Sequence, residues 1–296
     1  MRDRLAAAAS RREVLDLSGT TAWRLFHGVA EGRPNLAVDR YGGGLIAWMQ
    51  DEVDRAEREA IDELGEVTWV RRGTPLSTLP FEELGMRWPA ASLGQDPPLF
   101  LDLRAGRRWL QEHARGRVLN AFAYAGGSGL SCVQAETVVN LDHSARYLDF
   151  ATEVAEHNGR QVECIREDYF AAVRQWGGLK LRGRGARRRW KRRDQRRFDL
   201  VVLDPPTFAK SPLGAVDLLR DYPSLLKPAL CCLTAGGSVL ATNHAAKIDL
   251  EDWLGICRRC ADKAGRPIRD IEVIVPEADF PSFDGRPPLK IAVFRT

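Results

Sequence analysis

The residues best placed to do chemistry lie in the segment Asp204-Pro205-Pro206-Thr207-Phe208. The apolar run that precedes it, Leu200 to Leu203, predicts a buried strand of a parallel sheet. Two prolines end this strand, because proline has no amide hydrogen to donate to a neighbouring strand. Asp204 is therefore expected at the carboxyl end of a strand, the edge at which open α/β sheets bind ligands. Taken alone, the motif is equally compatible with an ordinary turn.

Further loops are expected at the same edge of the sheet. In the glycine-rich turn over residues 119–129, the glycines let the backbone approach a ligand, and the helix that follows favours a carboxylate at its amino end. Asp142, at the end of the next strand, can accept hydrogen bonds from ribose hydroxyls, and Asp168, after the following strand, from an exocyclic amine. This order indicates an adenosine-bearing methyl donor. A dinucleotide is disfavoured because the turn lacks the G-x-G-x-x-G pattern. The residues predicted to bind the cofactor are Asn120, Phe122, Tyr124, Gly126, Asp142, His143, Ser144, Asp168, Tyr169 and Asp204.

The predicted elements divide the chain into two domains. Residues 1–90 combine short strands with one amphipathic helix and indicate a small α+β domain. In residues 91–296 strands alternate with helices, which predicts a mostly parallel, doubly wound α/β sheet. Two strands close together near the end of the chain predict an antiparallel edge.

Composition bounds the class of protein. The chain of 296 residues is 44% hydrophobic, which suffices for a large buried core. No apolar run approaches the roughly 20 residues of a membrane span, and the charged amino terminus is unlike a secretory signal, so a cytoplasmic protein without a membrane partner is expected. The six cysteines lie in apolar segments and predict reduced, buried thiols; Cys257 and Cys260 have metal-knuckle spacing but no second pair, so no metal site is predicted.

Positive charge is concentrated in one segment, residues 180–197. It carries a net charge of +10 in a chain of +4, which leaves −6 for the remainder. Such a run is typical of a nucleic-acid contact or of a solvated loop without function. Trp190 lies within it and is a candidate to stack on a base.

The motifs resemble a known family. Asp204-Pro205-Pro206-Thr207-Phe208 is similar to motif IV of class I S-adenosylmethionine-dependent methyltransferases that act on nucleobases, and residues 118–127 resemble their cofactor loop. From about residue 20 the chain resembles the bacterial large-subunit (23S) rRNA base methyltransferases, which carry a small α+β domain before a Rossmann-like class I catalytic domain. Residues 22–26 and 35–41 resemble the guanine-N7 half of a fused bifunctional enzyme more closely than the 5-methylcytosine enzyme.

The resemblance implies S-adenosyl-L-methionine as the cofactor and ribosomal RNA, or the assembling large subunit, as the partner. The chain departs from the family in three features: Asp96-Pro97-Pro98-Leu99 stands where the family has Lys-Thr-Gly, no PUA domain is recognisable, and the basic segment 180–197 is unusual. Without a PUA domain, the small domain and the basic segment are expected to bind the RNA. A monomer and a homodimer remain equally open.

Guanine N7 is the preferred target atom. Methylation of cytosine C5 needs a thiolate that attacks C6, and the strand ending at Thr242-Asn243-His244 carries no cysteine. Guanine N7 is itself a nucleophile, so orientation and charge stabilisation suffice. The resemblance and this chemistry predict a catalytic set of Asp204, Pro205, Pro206, Phe208 and Asn243, and substrate contacts from Thr207, His244, Tyr222 and Arg104. Trp190 of the basic segment is a further predicted substrate contact.

For several of these residues a structural role is the alternative. His244 reads the base edge or makes a structural hydrogen bond, and Tyr222 contacts substrate or packs in the core. Lys290 resembles a family lysine, but a solvated charge is expected. A cytosine C5 enzyme, a small-molecule methyltransferase and an RNA-binding assembly factor with little catalysis remain the competing interpretations.

Overall fold

The computed structural model describes residues 1–71, 73–181, 187 and 190–296. By contacts the chain forms two compact units. Unit 1 comprises Met1–Ala105, Glu156–Gly159 and Pro276–Pro287, and unit 2 comprises Gly106–Ala155, Arg160–Val275 and Pro288–Thr296. This division differs from a boundary at residue 90, because residues 91–94 pair as a strand with residues 76–78 of unit 1.

Unit 1 is an α+β unit around a four-stranded sheet. Strands β1, β2 and β3 are antiparallel neighbours, whereas β3 and β4 are parallel because a helix connects them. Two small antiparallel pairs, β5 with β8 and β6 with β7, follow. Its elements are α1 (Arg2–Arg11), β1 (Ala22–His27), β2 (Leu36–Tyr41), β3 (Gly44–Met49), α2 (Arg55–Asp62), β4 (Val67–Arg71), β5 (Leu76–Thr78), β6 (Phe81–Glu83), β7 (Met86–Trp88) and β8 (Ala91–Gly94), with short 3-10 helices at Gly28–Glu31 and Leu101–Leu103.

Unit 2 contains a seven-stranded sheet in the order β11-β10-β9-β12-β15-β17-β16. The first five strands are parallel, and β17 is antiparallel to both of its neighbours. The elements are α3 (Arg104–His113, with its first two residues in unit 1), β9 (Gly116–Ala121), α4 (Gly127–Ser131), β10 (Ala135–Asp142), α5 (Ala145–His157, with its last two residues in unit 1), β11 (Glu163–Arg166), α6 (Tyr169–Trp176), β12 (Phe198–Leu203), β13 (Phe208–Ser211), β14 (Gly214–Asp217), α7 (Tyr222–Cys231), β15 (Leu233–Asn243), α8 (Leu250–Lys263), β16 (Asp270–Ile274) and β17 (Lys290–Arg295).

The prediction of a mostly parallel α/β sheet with an antiparallel edge is confirmed. Strand β12 lies between β9 and β15, and its residues Leu200 to Leu203 are buried on both faces, as an apolar run of this length requires. Three features were not predicted: helix α1, helix α3 and the β13–β14 hairpin. The hairpin follows the double proline directly, where the sequence offers only short polar and apolar stretches.

Within the part of the chain that the structure describes, no helix has both the length and the apolar character needed to cross a membrane.

Candidate functional site

Asp204 follows β12 directly, and two side chains from the end of β15 hold its carboxylate. Oδ1 accepts a hydrogen bond from the Thr242 hydroxyl and lies 2.9 Å from Nε2 of His244. Strands β12 and β15 pair in register up to Leu203 and Ala241, so the residues that follow each strand must meet. A quarter of the Asp204 side chain stays exposed, which leaves one side of the carboxylate available to a ligand.

The surroundings of Asp204 lower the pKa of its carboxyl group below the ordinary value. Burial alone would raise this pKa, but hydrogen bonds from His244 and Thr242 and the positive charge of Arg107 outweigh burial. Asp204 is therefore an anion at neutral pH. A carboxylate with a lowered pKa is also a poor general base, because it holds a proton weakly.

A Thr242→Val variant should shift the acid limb of the kcat/KM profile for methyl transfer to higher pH. Valine has nearly the same shape but donates no hydrogen bond, so the pKa of Asp204 rises and the carboxylate is protonated earlier as the pH falls. Measurement of kcat/KM for methyl transfer across the acid pH range checks this prediction. Thr234→Val is the matched control: Thr234 donates to Asp199 (2.9 Å) at the other end of the same two strands. If both variants leave the profile unchanged, Thr242 does not tune Asp204.

The loop after Asp204 presents an aromatic ring to solvent. Pro205 is buried, whereas Pro206, Thr207 and Phe208 are exposed, Phe208 at 58%. Phe208 begins β13, whose pairing with β14 fixes the backbone that carries the ring. An exposed ring on a rigid hairpin beside an anionic carboxylate suits stacking on a flat ligand.

The glycine-rich turn between β9 and α4 is closely packed against two asparagines. Asn120 on β9 donates to Oδ1 of Asn140 (2.9 Å), its paired residue on β10, and both side chains are buried. A Cβ at Gly129 would lie 2.3 Å from Asn140 Oδ1, and one at Gly126 would lie 2.8 Å from Cβ of Ala151. Only glycine fits either position. Helix α4 has five residues, so its dipole contributes less than the sequence suggested.

Two aromatic residues of this turn adopt left-handed backbone conformations. Phe122 has φ 57° and Tyr124 has φ 51°, which is uncommon outside glycine and typical of functional loops. The Tyr124 ring contacts that of Tyr147 with centroids 4.4 Å apart, and Phe122 stacks on Tyr169 at 4.6 Å. Tyr147 was not predicted; no local signal sets it apart from other residues of α5.

Asp142 ends β10 and organises the turn. Its Oδ2 accepts from the Tyr124 amide (3.0 Å), and its Oδ1 accepts from the Ser144 amide (2.9 Å). A carboxylate has further lone pairs, so it can still accept a hydrogen bond from a ligand. His143 is 85% exposed, with Nδ1 3.3 Å from Asp142 Oδ1.

Asp168 has a structural role that the sequence did not predict. It is the N-cap of α6, where Oδ1 accepts from the Ala171 amide (3.0 Å), and Oδ2 accepts from the hydroxyl of Ser211 on β13. The side chain thus links the predicted cofactor edge to the hairpin that carries Phe208. Tyr169 is buried, and its hydroxyl donates to the Leu225 carbonyl (2.6 Å), so only its ring face can contribute to the site, through Phe122.

Asn243 lies fully buried at the end of β15. Its Oδ1 accepts from the Ala245 amide (2.8 Å), while Nδ2 has no hydrogen-bond partner among the described residues. Lys290, paired with Asn243 across β15 and β17, donates from Nζ to the carbonyls of Ala245 (2.9 Å) and Pro288 (3.0 Å). The prediction of Lys290 as a solvated charge is wrong, because its ammonium group is buried to hold the loop after His244. Burial lowers the pKa of Lys290.

Two predicted substrate contacts are corrected. The Tyr222 hydroxyl donates to the Thr242 carbonyl (2.9 Å) from a fully buried position, so Tyr222 packs in the core and supports the strand end that holds Asp204. Arg104 belongs to unit 1, has no exposed side-chain surface, and is paired with Glu277 and Asp279 at 2.7 Å each. A guanidinium held in this way has a structural role and offers no surface to a base.

Part of the basic segment is bound to the protein surface. Residues 182–186, 188 and 189 lie outside the described residues. Of the others, Arg193 lies over the Trp176 ring and 3.6 Å from Glu167, and Arg196 pairs with Glu163 at 2.8 Å. Trp190 is half-buried. These ion pairs reduce the charge that the segment offers to a partner.

Comparisons with known proteins agree with the α/β fold described above. The family model for S-adenosylmethionine-dependent methyltransferases matches residues 58–295. The fold and the loops at the carboxyl edge of the sheet define a Rossmann-like class I α/β enzyme. The chain belongs to the S-adenosylmethionine-dependent methyltransferase family, and S-adenosylmethionine is its cofactor.

Two similar curated proteins are named ribosomal RNA large subunit methyltransferase I. The protein from Aeromonas salmonicida is 27% identical over 307 residues, which cover 93% of this chain and 74% of that protein. The protein from Photobacterium profundum is 29% identical over 312 residues, covering 94% and 75%.

Solved structures share the fold at low sequence identity. A methyltransferase crystallised with S-adenosylhomocysteine has a TM-score of 0.76 and 18% identity, over all of this chain and 80% of that chain. A methyltransferase from Agrobacterium tumefaciens has a TM-score of 0.63 and 17% identity, over 94% and 89%.

Proposed function

We propose that the protein methylates a base of large-subunit ribosomal RNA, at guanine N7, with S-adenosylmethionine as the donor. The observation that best supports this proposal is the position of Asp204 at the carboxyl edge of the sheet, where its lowered pKa makes it an anion. The names of the similar curated proteins support ribosomal RNA as the substrate. They do not specify a base.

In the proposed reaction the protein positions groups and manages charge. The cofactor supplies an electrophilic methyl group, and guanine N7 supplies a lone pair, so no proton has to be removed. Asp204 then offsets the positive charge that develops on the purine, a role for which a weakly basic carboxylate is suited. Phe208 stacks on the base once it is displaced from its neighbours, at a cost of a few kcal/mol.

Asn243 and His244 are proposed to orient the base. His244 is partly exposed and can contact the base edge directly. Asn243 is fully buried and acts through its hydrogen bond from the Ala245 amide, which fixes the backbone that carries His244. The proposed cofactor site takes the ribose at Asp142 and the adenine amine at Asp168, under the turn of Gly126 and Asn120.

The cysteines favour guanine N7 over cytosine C5. All six are described, and none lies in the loop after β12 or at the end of β15. Burial raises the pKa of Cys132 to about 12 and of Cys260 to about 11, and raises those of Cys232 and Cys257 as well. Thiols in such environments are poor nucleophiles. Cys164 and Cys231 are only partly buried, on β11 and at the end of α7.

Nucleoside mass spectrometry of ribosomal RNA incubated with the protein and isotopically labelled S-adenosylmethionine tests the proposal. An unmodified transcript and rRNA from a strain lacking the gene should both be used. Labelled 7-methylguanosine is expected, and a Cys164→Ser/Cys231→Ser variant should produce it equally well. Labelled 5-methylcytidine that disappears in this variant would instead identify a cytosine C5 enzyme. No label in any RNA, with cofactor binding intact, would point to a small-molecule substrate or to an assembly factor.

The small unit and the basic segment are proposed to dock the RNA. Unit 1 stands where the resembling family has its small domain, and residues 180–197 carry the highest charge of the chain.

A further inference from the structure

A groove of about 390 Å³ in unit 2 has a consistently basic lining. It is bordered by α7, α8 and the turn after β14. Among the described residues that line it, four are cationic (Arg220, Lys227, Arg259 and Lys263) and none is acidic. All four are exposed, and none of them forms an ion pair within the described parts of the chain.

The acidic residues beside the groove are engaged with the backbone. Asp217 accepts from the amides of Leu219 and Arg220 (3.0 and 3.1 Å), and Asp221 accepts from the Ser224 amide at the start of α7 (3.3 Å). The described side chains that line the groove itself therefore carry four positive charges and no negative one. Such an arrangement favours an anionic ligand, whose local concentration it raises.

The groove is connected to the Asp204 site through hydrogen bonds. Leu218 in its wall donates its amide to the Thr207 carbonyl (3.3 Å), directly after the double proline. Tyr222, also in the wall, donates to the carbonyl of Thr242, whose hydroxyl donates to Asp204. The loop after Asp204 and the strand end that holds its carboxylate are thus both hydrogen-bonded to residues of the groove wall.

We propose that this groove binds the phosphate backbone of the RNA strand that flanks the target base. The inference rests on the proposed function, because it takes RNA as the substrate. Arg259 and Lys263 lie one helical turn apart, about 6 Å along α8, on the scale that separates successive phosphates of one strand. Leu219, which is 48% exposed, and the half-buried Ile256 offer apolar contact to sugars and bases between these charges.

The test compares a double variant within α8 with a double variant that removes the same charge from α8 and from the segment after it. Arg259→Gln/Lys263→Gln removes two groove cations, whereas Arg258→Gln/Arg269→Gln removes two exposed cations that do not line the groove. Binding of a fluorescein-labelled single-stranded RNA of about 20 nucleotides is followed by anisotropy over a salt series. In a plot of log K against log salt, each lost phosphate contact makes the negative slope less steep by about 0.7. The slope of the groove variant should therefore be less steep by about 1.4. At about 0.1 M salt this corresponds to a roughly 25-fold weaker affinity.

Methyl transfer to the large-subunit rRNA transcript supplies a second readout. The groove variant should raise KM and leave kcat and S-adenosylhomocysteine binding unchanged, because neither Arg259 nor Lys263 belongs to the proposed cofactor loops or the catalytic set. If the two variants bind RNA with equal affinity and methylation is intact, the proposal that the groove binds RNA is overturned, while the proposed function is unaffected. Equal RNA affinity with binding of an acidic protein lost only in the groove variant would assign the surface to a protein. A wild-type protein that neither binds nor methylates RNA overturns the proposed function itself.

Discussion

An Asp204→Asn variant should lose at least about 100-fold in kcat/KM for methyl transfer while keeping its fold. Asparagine has the same shape, and its side-chain oxygen can still accept the hydrogen bond from Thr242, but the negative charge is gone. Removal of one preorganised electrostatic group typically lowers the rate by about 100- to 1000-fold. Single-turnover kinetics with the rRNA transcript measure this loss, and calorimetry with S-adenosylhomocysteine shows whether the cofactor site survives.

Asp199→Asn is the matched control for this variant. Asp199 lies on the same strand, at its amino end, where it accepts from the Arg117 amide (2.8 Å) and from Thr234, and its pKa is also lowered. The substitution removes the same charge from the same sheet, so a small loss of stability with full activity is expected. Activity of Asp204→Asn within threefold of wild type would remove Asp204 from the catalytic set.

A Gly129→Ala variant should weaken S-adenosylmethionine binding at least about tenfold. Alanine would normally stabilise a helix by up to about 1 kcal/mol relative to glycine. Here its Cβ would lie 2.3 Å from Asn140 Oδ1 and 3.2 Å from Asn120 Nδ2, so the hydrogen bond between these asparagines must break or the turn must move. Equilibrium dialysis with labelled S-adenosylmethionine measures the affinity, and thermal unfolding measures the accompanying loss of stability.

Two further variants separate the clash from a general effect of alanine. Gly43→Ala, in unit 1, adds a Cβ with only one ordinary contact at 4.0 Å and should bind the cofactor normally. Asn140→Ser added to Gly129→Ala removes the atom that the new Cβ meets, and should restore part of the affinity. Tight cofactor binding by Gly129→Ala alone would show that the turn adapts and that its packing does not define the site.

The parts of the fold that could be predicted depend on local signals. The apolar run before Asp204 is long enough for a fully buried strand, and the double proline marks where it ends, so the position of the carboxylate at the sheet edge followed from the sequence. The structure confirms this element order and the antiparallel position of β17. Asn120 and Asn140 offer a further local signal of a site, since each interrupts an apolar strand near its carboxyl end.

The partners of the site residues could not be predicted, because they depend on which distant segments meet. Thr242 looks like an ordinary strand residue, and its hydrogen bond to Asp204 follows only from the pairing of β12 with β15. Arg104 and Lys290 are polar residues that composition places at the surface, yet both are buried against acceptors far away in sequence. Buried cations with tertiary partners leave no periodic pattern in the chain.

The ion pairs of Arg104 have a consequence for the order in which the protein is made. Arg104 is fully buried in unit 1, but its carboxylate partners are Glu277 and Asp279, and the Asp279 side chain also accepts the Arg24 amide (3.0 Å). A ribosome that has synthesised the first 105 residues has produced most of unit 1 without Glu277 and Asp279, the two carboxylates that pair with its buried arginine. An uncompensated buried charge is costly, so unit 1 can reach its final packing only after about residue 287 has emerged, when nearly all of unit 2 is already available to fold.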